Sequence, residues 1–207
     1  VSDLTTTEAD HRISVAAGRQ ARTARAVTEL FAPWVLIISL FLAVGWSTGE
    51  RGVAWGLLGA AFASMGPMTV IVAGVIVGRY TDHHLTTREQ RVIPLVLSLI
   101  MVVTGIFVLH VLNAPADVLA VEAAMLGGLV VTAPITALWK VSFHTGVASA
   151  AVTILAIVYG PVLIALSPIV VLIGWSRVKL AHHTPLQVLL GAPIGTLAAT
   201  VPFLLVR

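Results

Sequence analysis

Residues 92–112, VIPLVLSLIMVVTGIFVLHVL, decide the solvent in which this chain folds. The run contains no Asp, Glu, Lys or Arg. As a helix it reaches roughly 30 Å, the thickness of the hydrocarbon core of a bilayer. Asn113-Ala114-Pro115 ends it.

Similar runs lie on both sides. Residues 31–47 form one, closed by the turn Thr48-Gly49-Glu50-Arg51-Gly52. Residues 53–78 form a second, broken near the middle by Gly66-Pro67, and residues 116–139 a fourth, with a kink expected at Pro134. Residues 146–175 are too long for one span. Gly160-Pro161 divides them into two helices, because proline lacks a backbone donor and its ring clashes with the preceding turn; Pro168 allows a further kink. Residues 185–206 form the last run. In lipid the backbone must satisfy its own hydrogen bonds, so segments of this length are helices, and no alternating barrel pattern is present.

The expectation is an all-α fold, a polytopic transmembrane bundle of six or seven helices occupying residues 31–207. Residues 1–30 read as a polar tail with a short surface helix from about Arg12 onward; no cleaved signal peptide is expected there. Gly59, Ala60, Ala63, Gly127, Gly128, Ala148 and Ala150 are small enough to let helices approach closely. Trp34, Trp46, Trp55, Trp139 and Trp175 lie near segment ends, where aromatic belts occur. Glu122 is expected to pair with His110.

Composition agrees with a membrane chain. Of the 207 residues, 58% are hydrophobic and 10% charged, against roughly 25% charged in soluble domains. There is no cysteine, which excludes disulfides, thiolate chemistry and Cys-ligated clusters. No soluble basic face is evident, so no nucleic-acid partner is expected.

Seven crossings put three polar loops on the side of the N-terminus: residues 79–90, 140–145 and 176–183. Arg12, Arg19, Arg22, Arg25, Arg79, Arg88, Arg91, Lys140, Arg177 and Lys179 gather there, against Arg51 and Arg207 opposite. The positive-inside rule makes that side cytoplasmic, in a multi-pass protein of the cell membrane. The loops carry His84 and Arg91; Lys140-Val141-Ser142-Phe143-His144; and Ser176-Arg177 with His183-Thr184-Pro185-Leu186-Gln187. Several cations, separated histidines and few acids suit a phosphate ester. Guanidinium forks match phosphate oxygens, and imidazole exchanges protons or attacks near neutral pH. Thr184-Pro185 reads as a helix start, with Thr184 as N-cap.

In order and spacing, these pieces resemble the type 2 phosphatidic acid phosphatase superfamily of integral membrane lipid phosphatases. The family pattern is Lys, six residues, Arg-Pro; then Pro-Ser-Gly-His; then Ser-Arg, five residues, His, three residues, Asp. Ser176, Arg177 and His183 match the third motif, Ser142 and His144 the second, and Arg91 the first. His84 stands at the lysine position, Pro94 lies two residues late, Val141 and Phe143 replace proline and glycine, and Gln187 replaces aspartate. The third piece is most similar to polyisoprenyl phosphate and diphosphate phosphatases.

The resemblance implies that His183 attacks phosphorus to form a phosphohistidine and that His144 protonates the leaving oxygen and then activates water. It implies that Arg177, Arg91 and Ser142 hold the phosphate, with Lys140 or His84 as a further cation, and that Ser176 and Gln187 orient. It implies a lipid phosphate substrate and neither metal nor other cofactor. A homo-oligomer is left open. Two other readings compete. One is a catalytically degenerate protein that binds or flips lipid phosphates. The other is a metal-dependent transporter or hydrolase using Asp82, His83, His84, His182 and His183.

Overall fold

The computed structural model describes residues 18–81, 90 and 92–207. His84 and Arg91, with Asp82, His83, Arg88 and Glu89, lie outside them. All regular elements among the described residues are helical. In chain order they are α1 (Gly18–Leu30), α2 (Pro33–Trp46), α3 (Gly52–Ala60), α4 (Gly66–Ile76), α5 (Val92–Val111), α6 (Ala116–Leu138), α7 (Phe143–Tyr159), α8 (Ser167–Lys179) and α9 (Pro185–Val206). Five continuous helical runs are long and apolar enough to cross a membrane: Gly52–Ile76, Val92–Val111, Ala116–Thr136, Pro161–Lys179 and Pro185–Val206. The pair α1–α2, bent by 42°, makes a sixth. The seventh apolar segment, α7, has 17 residues and reaches only about 26 Å. This is a polytopic transmembrane helical bundle.

The two expected breaks are both present, in different forms. Around Gly66-Pro67 the chain stays helical but widens. Residues Ala61–Met65 form a π-helical turn, with the Gly66 N–H bonded to the Ala61 carbonyl, five residues back. Pro67, in the first turn of α4, has no N–H to offer and crowds the carbonyl four residues earlier, so the ladder loosens locally and then resumes. At Gly160 the break is complete: φ is +111°, and a 3₁₀ turn over Pro161–Leu166 leads into α8.

Helix contacts are made where side chains are absent. In the α2–α3 hairpin, a Cβ on Gly45 would sit 2.3 Å from the Gly52 carbonyl oxygen. A Cβ on Gly195 of α9 would sit 2.3 Å from the Gly146 Cα of α7, and one on Gly127 of α6 would sit 2.3 Å from the Ala198 carbonyl oxygen of α9. Thus α9 lies between α6 and α7 with its backbone nearly touching each. Lipid tails are as apolar as the helices, so close packing and interhelical hydrogen bonds must replace the hydrophobic drive used in water. Hydroxyls supply such bonds: Ser149 donates to the Ala192 carbonyl at 2.8 Å, and the Thr145 Oγ1 lies 3.1 Å from the Val188 carbonyl oxygen.

The end of the bundle opposite residues 140–145 and 176–183 is clamped separately. The Arg207 Nε lies 2.9 Å from Asp117 Oδ1, its Nη1 donates to the Ile157 carbonyl at 3.2 Å, and Tyr159 donates to the Ala43 carbonyl. Phe41, Val44, Leu109, Val118, Val121, Ile154 and Phe203 are buried between the helices.

One expectation needs correction. Glu122 and His110 do not pair. Glu122 is fully buried, against Gly105 of α5, whereas His110 is exposed. Positions 105 and 110 are separated by about 140° around a helix, so they face different ways. Trp55, the fourth residue of α3, packs partly buried against the core. Helix α1 packs one face on the bundle. Ala24 and Thr28 are buried against the bundle, while Arg19, Arg22 and Arg25 stay exposed.

The α7–α9 contact yields a test. Gly195→Ala sets a methyl carbon against backbone that cannot move aside, so it should destabilise by at least the roughly 1–3 kcal/mol usual for overpacking. Gly128→Ala, whose Cβ meets nothing within 4 Å, should not. Thermal unfolding of both variants in detergent reads the difference.

Candidate functional site

Ser142, His144, Arg177 and His183 line one end of a single cavity of about 260 Å³. Three of them are almost wholly enclosed, at 1%, 5% and 3% exposure for Ser142, His144 and Arg177; His183 is half-buried. They come from three separate parts of the chain, and each is fixed by a local device.

Ser142 is the N-cap of α7. Its Oγ accepts from the Thr145 N–H at 3.4 Å, and its own N–H donates to the Gln187 carbonyl at 3.3 Å. His144 therefore stands in the first turn of α7, held against the start of α9. A hydroxyl that accepts from the backbone keeps its own proton for another acceptor. Gly191 of α9 passes directly beneath: a Cβ there would lie 2.7 Å from Thr145 Oγ1 and 2.8 Å from the Ser142 carbonyl oxygen.

Arg177 and His183 are brought together by the end of α8. The Ala181 N–H bonds to the Val178 carbonyl at 2.9 Å and the His182 N–H to the Arg177 carbonyl at 3.0 Å. That is a Schellman wrap, in which the residue after the C-cap adopts the left-handed conformation. Here it is Ala181, with φ +55°. The wrap turns the chain back on the last turn of α8, so the His183 N–H also reaches the Arg177 carbonyl, at 3.3 Å. Immediately afterwards α9 opens with a complete capping box. The Gln187 N–H donates to Thr184 Oγ1 at 3.3 Å and the Thr184 N–H to Gln187 Oε1 at 3.1 Å, with Pro185 in the first turn. The spacing of Arg177 to His183 is thus the length of one helix ending followed by one helix beginning.

The other candidates divide. Gln187 accepts the Thr184 N–H on its side-chain oxygen and so sets the turn that carries His183. Ser176 is buried with Oγ bonded to the Ile173 carbonyl at 2.7 Å and to Thr28 Oγ1 at 3.1 Å, so it fastens α1 to α8 one residue before Arg177. Lys140 is half-buried and is not among the described residues lining the cavity. Phe143, in the place of the family's glycine, does line it. Among the described residues no group of three or more His, Cys, Asp or Glu is arranged to hold a metal; Asp82, His83 and His84, which the metal reading requires, lie outside them.

The sequence reading missed Thr28, Thr145, Ala181 and Gly195. Only Thr145 left a local signal, as the third residue after a serine N-cap. No protein-family model, curated protein or solved structure matches the chain.

The turn between α8 and α9 predicts two opposite effects. Ala181→Gly relieves a left-handed alanine that costs roughly 1–2 kcal/mol and should raise stability by up to about 1 kcal/mol. Thr184→Ala removes the cap and should lower stability by about 1 kcal/mol. Denaturation midpoints in detergent, compared with wild type, check both.

Proposed function

We propose that the protein is a membrane-embedded lipid phosphatase, hydrolysing a polyprenyl phosphate or diphosphate, or a glycerophospholipid phosphate, through a phosphohistidine. The observation that carries this reading is the meeting of His144, His183 and Arg177 at one end of one cavity whose remainder is largely apolar. Arg177 and His183 lie 33 and 39 positions after His144 in sequence, and polar groups gathered inside a membrane bundle are costly unless they act.

In the proposed cycle, the phosphoryl group sits against the Arg177 guanidinium. A ring nitrogen of His183 attacks phosphorus. The bond from phosphorus to the leaving oxygen breaks, and His144 gives that oxygen its proton. The lipid alcohol, or a lipid monophosphate from a diphosphate, departs. Neutral His144 then removes a proton from water, whose oxygen attacks phosphorus and breaks the P–N bond, releasing orthophosphate and regenerating both imidazoles. Arg177 stabilises the charge on the equatorial oxygens throughout. Ser142 has a hydroxyl proton for one of them. Arg91 and His84 complete the phosphate contacts in this reading.

The reading also puts the site at the cytoplasmic face, because among the described residues Arg19, Arg22, Arg25, Arg79 and Lys179 lie at that end of the bundle, against Arg51 and Arg207 at the other. One observation favours a second reading. Phe143 occupies part of the cavity wall where the family's glycine would leave backbone open to phosphate, as suits a protein that binds or flips lipid phosphates without cleaving them.

Orthophosphate release from polyprenyl mono- and diphosphates and from phosphatidate, in the presence of a chelator, separates the readings. Turnover is expected in wild type, with losses of about 10²–10⁴-fold in His144→Ala and near-complete loss in His183→Ala. Equal rates in wild type and His183→Ala would end the phosphatase reading. Tight lipid phosphate binding with no turnover in wild type would establish the second one.

A further inference from the structure

The cavity continues well past the phosphate-binding end. Its wall there is built from Met68, Ile71, Leu95, Met125, Leu129 and Val147, among others. Three hydroxyls also line it, and all are turned away into backbone: Ser64 donates to the Trp34 carbonyl at 2.9 Å, Ser98 to the Pro94 carbonyl at 2.7 Å, and Thr132 to the Gly128 carbonyl. A wall whose few polar groups are already satisfied offers a ligand only dispersion contacts, so this part of the cavity suits hydrocarbon and not a polar headgroup.

Its size restricts what hydrocarbon fits. The whole cavity is about 260 Å³. A cavity of about 150 Å³ holds benzene, with six carbons. By proportion this one holds roughly ten carbon-sized atoms, and the phosphoryl group takes part of that space. One chain fits for its first several carbons; two acyl chains, diverging within three carbons of a phosphate, would have to leave through the open side of the cavity.

Gly128 keeps the slot open. Two adjacent glycines of α6 have different surroundings. A Cβ on Gly127 would strike the Ala198 carbonyl oxygen at 2.3 Å, whereas a Cβ on Gly128, which lines the cavity, would meet nothing within 4 Å. The first is needed for packing against α9. The second leaves space, although alanine there would favour the helix by about 1 kcal/mol.

We propose that the cavity is a slot for a single hydrocarbon chain, that the substrates are one-chain lipid phosphates, isoprenoid or single-acyl, to the exclusion of diacyl glycerophosphates, and that Gly128 determines this specificity. The proposal rests on the phosphatase reading and narrows it.

The test uses the whole protein in detergent, wild type and Gly128→Leu, with Gly128→Ala as a control of fold by thermal unfolding. The substrates are a five-carbon prenyl phosphate, a fifteen-carbon prenyl phosphate and a diacyl glycerophosphate, each followed as orthophosphate release. Wild type should prefer the fifteen-carbon phosphate over the diacyl lipid in kcat/KM. Gly128→Leu should lose about 10–200-fold on the fifteen-carbon phosphate, and at least ten times more than it loses on the five-carbon one. Equal wild-type kcat/KM for one-chain and two-chain lipids overturns the proposal, as does a Gly128→Leu variant that slows both prenyl phosphates alike or neither. Absence of all turnover sinks the phosphatase reading instead. The slot is then decided by binding: weaker binding of the fifteen-carbon phosphate to Gly128→Leu than to wild type upholds it, and equal binding overturns it.

Discussion

The near-contact of Gly146 with Gly195 is the constraint from which the rest of the arrangement follows. Two helix backbones that almost touch cannot slide or rotate freely past each other. Fixing α7 on α9 fixes their first turns, and those turns carry His144 on one side and the Thr184–Gln187 cap, just after His183, on the other. Thr145 and Ser149 add hydroxyl bonds to α9 carbonyls along the same seam. Gly191 permits the approach at the level of Ser142. A single methyl group at Gly195 would press on Gly146, two residues after His144, and so disturb the site through geometry alone.

Around that seam, the end of the cavity lined by Ser142, His144, Arg177 and His183 is built from endings and beginnings of helices and not from long loops. Arg177 is in the last turn of α8, His183 lies between the Schellman wrap and the α9 cap, and Ser142 is itself a cap. Each polar side chain is therefore held by backbone hydrogen bonds that the helix termini need in any case. Ala181 is the strained point of this design, an alanine where the wrap normally takes glycine. A backbone held this tightly suits residues that must meet one ligand geometry.

Much of this was legible in the residues because hydrocarbon leaves few choices. Span lengths, the breaks at Gly66-Pro67 and Gly160-Pro161, the Thr184 cap and the convergence of the 140s with the 176–183 stretch could all be read from hydropathy, proline chemistry and spacing. What could not be read was non-local or went against type. Thr28 meets Ser176 across 148 positions, and no local pattern announces such a bond. Ala181 in the left-handed region looks like any other loop alanine. Glu122 and His110 seemed natural partners by charge and depth, but the helical phase of α5 turns them apart. The apolar part of the cavity was invisible because it is made of what side chains leave empty.

The hydroxyl pair of Thr28 and Ser176 makes the first helix part of the scaffolding that supports the guanidinium next door. Trimming the chain to the bundle's long spans would strip away Thr28 and expose a serine that is fully buried in the intact fold. Activity lost on such truncation would report a disturbed cradle as much as a loosened hold on the membrane surface.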